Sequence, residues 1–159
     1  MINVFLLLGS NLGDRHLFLK QAIDHIEKEI APVLEASSVY ETQSWGKTDA
    51  PDYLNQVVML QTDLSAQLIL QKILNIEHIL GRSRGEKWGP RTIDIDILFY
   101  GDAVINEPGL QIPHPELHKR QFTLAPLAEI APGLVHPVLK NNILHIKNQL
   151  KDDLIAKKL

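Results

Sequence analysis

The segment Ile93-Asp94-Ile95-Asp96-Ile97-Leu98-Phe99 constrains the chain more than any other. Strict alternation of apolar and acidic residues is the pattern of a half-buried strand. Successive side chains on a strand point to opposite faces. Ile93, Ile95, Ile97 and Phe99 are therefore expected on one face, toward a core, with Asp94 and Asp96 together on the other. A strand rises about 3.3 Å per residue, which sets the two aspartate Cα atoms roughly 6–7 Å apart. Two carboxylates so placed repel, and Asp is depleted from strands. A divalent cation between them compensates, and all-oxygen ligation favours Mg²⁺ or Mn²⁺ over zinc. The alternative is a half-exposed strand bearing two solvated acids.

The rest of the chain offers partners for that strand. Residues 2–8 read as a buried strand, and 9–14 as a glycine turn ending in a helix cap. Leu12, Leu19, Ile23, Ile26 and Ile30 recur at helical spacing, until Pro32 stops the helix. Strands are expected over 33–41 and 53–62. A second helix carries Leu64, Leu68, Ile73, Ile76 and Leu80, with Asp63 as N-cap and Gly81 as C-cap. After the strand at 92–100 come Pro-rich connections, a short helix near 116–129 and another near 142–150. The order β-α-β-β-α-β predicts an α+β, ferredoxin-like sheet with added C-terminal helices, forming one domain over 1–159. With 45% apolar and 22% charged residues, the chain can bury a globular core. It has no cysteine, which excludes disulfides and thiolate metal sites. A short apolar run at the N-terminus and no stretch near the ~20 apolar residues of a membrane helix fit a cytoplasmic protein. A net charge of −3 argues against general nucleic-acid binding.

The charge distribution is more informative than its sum. From Arg82 to Arg91, Arg82, Arg84, Lys87 and Arg91 oppose Glu86 alone, giving +3 over ten residues. Cations beside an acidic pair suit a polyphosphate, whose charge needs neutralising from both sides. Gly81, Gly85 and Gly89 suit a lid, with Trp88 as its anchor or as cover for a flat heterocycle. A solvated basic loop is the plain alternative. Glu77, at the edge of an apolar helical stripe, reads from spacing as a solvated acid. His114, between Pro113 and Pro115, is either structural or a phosphate donor. Trp45, Tyr53 and Asn55 offer flat surfaces and paired donor and acceptor groups for an aromatic ligand, although ordinary packing also explains them. The run Gly9-Ser10-Asn11-Leu12-Gly13-Asp14 lacks the Gly-Lys-Ser/Thr ending of a P-loop.

At this point a family resemblance becomes specific. Lys87-Trp88-Gly89-Pro90-Arg91-Thr92-Ile93-Asp94-Ile95-Asp96-Ile97-Leu98 resembles the signature of the 6-hydroxymethyl-7,8-dihydropterin pyrophosphokinases. Gly9 to Asp14, Pro51-Asp52-Tyr53-Leu54-Asn55, Ile76-Glu77 with Gly81-Arg82, Pro113-His114-Pro115 with Arg120-Gln121-Phe122, and Pro126 to Pro132 extend it over nearly the whole chain. The resemblance implies transfer of pyrophosphate from ATP to the pterin hydroxymethyl group in folate synthesis, by a monomer acting on small molecules. It implies two Mg²⁺ ions on Asp94 and Asp96. Arg82, Arg91, His114 and Arg120 would contact the triphosphate, and Arg84 and Trp88 would belong to the closing loop. Glu77 would shape the nucleotide site, and adenine would lie by Ile97 and the segment before His114. Tyr53 and Phe122 would sandwich the pterin, with Asn55, Thr42 and groups near Ser44 and Trp45 reading its polar edge.

Three departures from relatives stand out. No proline follows Thr42, the lid from Arg84 to Trp88 is one residue shorter than in some relatives, and Gly109 and Gln111 replace nucleoside-contacting side chains of certain members. The implied chemistry is direct displacement at the β-phosphorus, driven by alignment and charge neutralisation. Another heterocyclic alcohol as acceptor, or a non-catalytic nucleotide sensor, are the competing readings.

Overall fold

The computed structural model describes residues 1–42, 52–81, 92–151 and 156–159. Apolar alternation produces the central sheet. β1 (Ile2–Ser10) lies between β4 (Tyr53–Thr62) and β5 (Asp94–Tyr100), antiparallel to both. β2 (Val33–Ala36) and β3 (Tyr40–Thr42) both pair with β4, and the short β8 (Lys157–Lys158) adds to β3. The order β5-β1-β4-β3-β8, with helices after β1 and β4, is the ferredoxin-like arrangement, extended at one edge. The four described helices and the antiparallel sheet make an α+β fold.

The two faces of the sheet are covered differently. On the first face, Val4, Leu6, Leu8, Leu54, Val58, Leu60, Ile93, Ile95 and Ile97 form one core with α1 (Arg15–Glu29) and α2 (Ala66–Ile79). On the second, Phe5, Leu7, Val57, Leu98 and Phe99 meet α3 (Gln121–Ile130) and α4 (Ile143–Gln149). Apolar burial at about 25 cal/mol per Å² drives both associations.

Several expected details shift, each for a local reason. Phe99 does not share the face of Ile93, Ile95 and Ile97. Phe5 pairs with Phe99 while Leu6 pairs with Ile97, so Leu98 is an extra residue and the alternation skips one step. Leu98 and Phe99 consequently both enter the second core. The strand expected over 33–41 is broken. Ser37 donates its N–H to the Val57 carbonyl at 2.8 Å, and its Oγ accepts from the Val57 N–H at 3.0 Å, so a side chain replaces one ladder acceptor. Asp14 caps α1 by accepting from the Leu17 N–H at 3.2 Å, so Leu12 sits before the helix and is 39% exposed. The α2 N-cap is Ser65, not Asp63: Thr62 Oγ1 accepts from the Leu64 N–H and holds that segment in a turn. Gly81 follows the helix at φ +92°, a left-handed conformation that glycine adopts without strain. The stretch before His114 carries a hairpin of β6 (Ile105–Glu107) and β7 (Leu110–Ile112), and a 3-10 turn, Leu117–Lys119, precedes α3.

Candidate functional site

The second face changes character along its length. α3 and α4 cover the end near Phe5 and Phe99, whereas the end near Gly9 carries polar groups. Gly9 pairs with Asp94 on one side and Asn55 on the other, and Asn55 pairs with Tyr40. Directly paired residues share a face, so Asp94, Gly9, Asn55 and Tyr40 form one row across the sheet. Asp96 stands one row nearer the core, beside Leu7, and Tyr53 pairs with Thr42 one row further out. Asp94 and Asn55 are thus two strand spacings apart, about 9–10 Å.

Gly9 is the gap in that row. It lies inside β1, not in the expected turn. A Cβ there would stand 3.1 Å from Asn55 Oδ1, so glycine leaves the floor between Asp94 and Asn55 open. Asn55 and Thr42 are buried, at 4% and 3% exposure, while Asp94, Asp96 and Tyr53 are partly exposed. Among the described residues, Thr42 Oγ1 and Asn11 Oδ1 are buried oxygens without a hydrogen-bond partner. Leaving such an atom unpaired is costly; Asn11 Oδ1 can accept a bond and the Thr42 hydroxyl can donate or accept one. Asn11 was not among the expected site residues; its position after the open glycine was the signal.

Glu77 departs from its spacing-based reading as a solvated acid. It is 4% exposed, and its Oε2 accepts from the Ile95 N–H at 2.8 Å. β5 is an edge strand, so that N–H has no neighbouring strand to bond. A carboxylate from α2 thereby fixes the peptide between Asp94 and Asp96.

Further along β5, the His114 N–H donates to the Leu98 carbonyl at 3.1 Å. This brings the β6–β7 hairpin against the strand and forms a cleft of about 280 Å³ bounded by Asp96, Ile97, Gly109, Gln111, His114 and Pro115. His114 Nδ1 accepts from the Glu116 N–H at 3.1 Å, which leaves the ring proton on Nε2. Burial pushes the His114 pKa down and Arg120 adds to this, against the opposing pull of Asp96 and Glu116. The imidazole is therefore held neutral near pH 7. Arg120, just before α3, places its guanidinium 5.4 Å from the Phe122 ring centre, a cation–π contact. α3 packs over β3 and β4, so Phe122 enters from the layer facing Tyr53.

Of the expected site residues, Thr42, Tyr53, Asn55, Glu77, Asp94, Asp96, Ile97, His114, Arg120 and Phe122 are described, all on or beside β3, β4 and β5. Ser44, Trp45, Arg82, Arg84, Trp88 and Arg91 lie outside the described residues. No group of three or more metal-ligating side chains occurs among the described residues. A larger cleft, about 430 Å³ and lined by Phe18, His25 and Leu80, opens between α1 and α2, and its lining includes neither Asp94 nor Asp96.

Residues 5–132 match the family described as 7,8-dihydro-6-hydroxymethylpterin-pyrophosphokinase (HPPK). The chain belongs to this family. The 2-amino-4-hydroxy-6-hydroxymethyldihydropteridine pyrophosphokinase of Aquifex aeolicus is 43% identical over 153 residues, covering 95% of each chain. That of Bacillus subtilis is 42% identical over 127 residues, covering 79% of this chain and 76% of its own. A Plasmodium falciparum HPPK-DHPS crystal structure superposes with a TM-score of 0.79 at 19% identity, over 93% of this chain and 45% of its own, which shows the shared fold. This HPPK chain is accordingly a pyrophosphokinase, a transferase of folate biosynthesis. No described helix is long and apolar enough to cross a membrane.

Proposed function

We propose that the polar end of the second sheet face is where this pyrophosphokinase aligns ATP with 6-hydroxymethyl-7,8-dihydropterin. The observation that carries this reading is the row Asp94, Gly9, Asn55, Tyr40. It offers the Asp94 carboxylate at one end, with Asp96 in the next row, the Asn55 amide two strands away, and an open floor between Asp94 and Asn55. That separation of about 9–10 Å suits a polyphosphate on the acidic side and a flat heterocycle on the amide side.

Asp94 and Asp96 fit Mg²⁺. Both are partly exposed oxygen donors on one face of one strand, and Mg²⁺ keeps water and phosphate oxygens as its other ligands. When bound, two Mg²⁺ ions would neutralise phosphate charge and orient the chain of phosphates. Glu77, through Ile95, holds the strand that presents the pair. The cleft beside Ile97 and His114 takes the nucleoside, and His114 Nε2–H donates toward a phosphate oxygen at its mouth. Arg120 supplies a fixed cation, and Arg82, Arg84, Trp88 and Arg91 are assigned to the phosphates and the covering loop through their match to the family signature. Tyr53 and Phe122 bracket the pterin. Asn55, Thr42 and the segment of Ser44 and Trp45 read its donors and acceptors, and the unpartnered Thr42 Oγ1 supports that role.

In the displacement, the pterin hydroxyl oxygen forms a bond to the β-phosphorus and the bridge to the α-phosphate breaks. AMP leaves with the bridging oxygen, and the hydroxyl proton passes to solvent. The protein contributes alignment and fixed charge. A monomeric, cytoplasmic enzyme belongs to the same proposal, and gel filtration tests its first half.

Quantifying AMP and ADP with MgATP, with and without the pterin, tests the reaction. AMP in equal amount with pterin diphosphate, only when pterin is present, is expected. ADP would mean single phosphoryl transfer and contradict the cleavage point.

A further inference from the structure

Arg15 opens α1 directly after the Asp14 cap, where the helix dipole favours an acid and disfavours a cation. A residue that breaks a local rule needs a compensating contact elsewhere. Here the contact is specific. Arg15 Nη1 donates to Glu41 Oε2 at 2.9 Å and to the Asp52 carbonyl at 2.9 Å. Glu41 immediately precedes Thr42, and Asp52 immediately precedes Tyr53. Thr42 and Tyr53 are register partners at the outer end of the polar face. One nitrogen thus holds the residue beside each member of that pair. It also ties both to the start of α1, just beyond Gly9 and Asn11.

The Arg15 and Glu41 side chains are 28% and 29% exposed, so water screens the ion pair and its contribution to stability is small. Geometry is a different matter. A planar guanidinium with directed donors fixes two acceptors in register, which a flexible ammonium does poorly. Misplacement of positioning groups by about 1 Å is felt at a reacting centre even when the fold is unchanged.

We propose that Arg15 is a positioning residue for the pterin side of the site, setting Thr42 and Tyr53 relative to Asn55 without touching substrate. The inference rests on the proposed pterin-facing role of Thr42 and Tyr53.

The test measures pterin Kd by fluorescence, KM for pterin and for ATP, kcat and Tm, for wild type, Arg15→Ala, Arg15→Lys and Tyr53→Ala. Arg15→Ala is expected to weaken pterin binding and raise its KM about tenfold, with ATP KM and Tm nearly unchanged. Arg15→Lys should restore part of that loss. Unchanged pterin Kd in Arg15→Ala, beside a clear loss in Tyr53→Ala, overturns the role of Arg15 and leaves the site intact. Loss of pterin and ATP affinity together with a lowered Tm also overturns it, since that is a structural role. Unchanged pterin Kd in Tyr53→Ala removes the premise itself.

Discussion

The two faces of one sheet are built from the same strands and put to opposite uses. On the first face, β1, β4 and β5 place mainly apolar side chains under α1 and α2, interrupted by Gln56 between Leu54 and Val58. On the second, the same alternation is apolar only where α3 and α4 cover it, and turns polar where Gly9 meets Asp94 and Asn55. The first face stabilises the fold, and so the second can keep two carboxylates and the unpartnered Thr42 and Asn11 oxygens at one end. Changes on the two faces should therefore separate stability from activity.

The largest effect is expected at Asp96. Asp96→Ala should reduce kcat by about 10³-fold or more, because a fixed charge is lost where phosphate charge must be neutralised. Its Tm should stay within a few degrees of wild type, since the side chain is partly exposed. A collapsed Tm would dissolve the separation between the faces. Ile73→Ala makes the reverse test. Ile73 is fully buried in the first core, and truncation there should cost about 2–5 kcal/mol in urea unfolding. Substrate KM values of the protein that remains folded should not move.

Glu77 joins the two faces, since it leaves α2 to hold the strand of the aspartates. Glu77→Leu leaves the Ile95 N–H without its acceptor and should cost about 1–3 kcal/mol, whereas Glu77→Gln retains a carbonyl oxygen and should lose less. Equal losses in both variants would assign Glu77 to charge alone. Gly9→Ala should raise the pterin KM by about tenfold with little change in ATP KM, as the added Cβ presses on Asn55 Oδ1 at 3.1 Å. An unaffected pterin KM would place the heterocycle elsewhere.

The smallest effect concerns pH and lies at the covered end of the second face. His136 is buried, and its Nδ1 accepts from the Val138 and Leu139 N–H groups. Burial, then the charge of nearby His118, pulls its pKa below the ordinary 6.5. The folded state thus favours the neutral ring. Its contribution is complete above pH 6.5 and fades as pH falls through the lower folded value. Unfolding free energy followed from pH 7.5 to 4.5 (about the range His spans) should show this slope in wild type and lack it in His136→Ala.

Much of this division was legible in the sequence, and the gaps are instructive. Strand β4 runs from Tyr53 to Thr62 as expected, and the aspartates share a face because period two allows nothing else. The displaced Phe99 was not legible, because an extra residue in one strand is defined only by the register of its partner. Glu77 looked like a surface acid because helical periodicity reports which residues lie on a stripe, not which peptide groups at a sheet edge lack a partner. Gly9 read as a turn for a similar reason: its strand continues through Ser10, and only the paired Asn55 reveals why no side chain fits. Tertiary pairing carried the information that local pattern lacked.

The most direct measurement of the central claim is metal binding at the aspartate pair. Mn²⁺ bound per chain can be counted by electron paramagnetic resonance with a non-hydrolysable ATP analogue, for wild type and for Asp94→Asn with Asp96→Asn. Wild type should hold two ions in the presence of the analogue, and the double variant should lose the tight sites while its circular dichroism stays unchanged. Undiminished tight binding in a folded double variant would contradict the account.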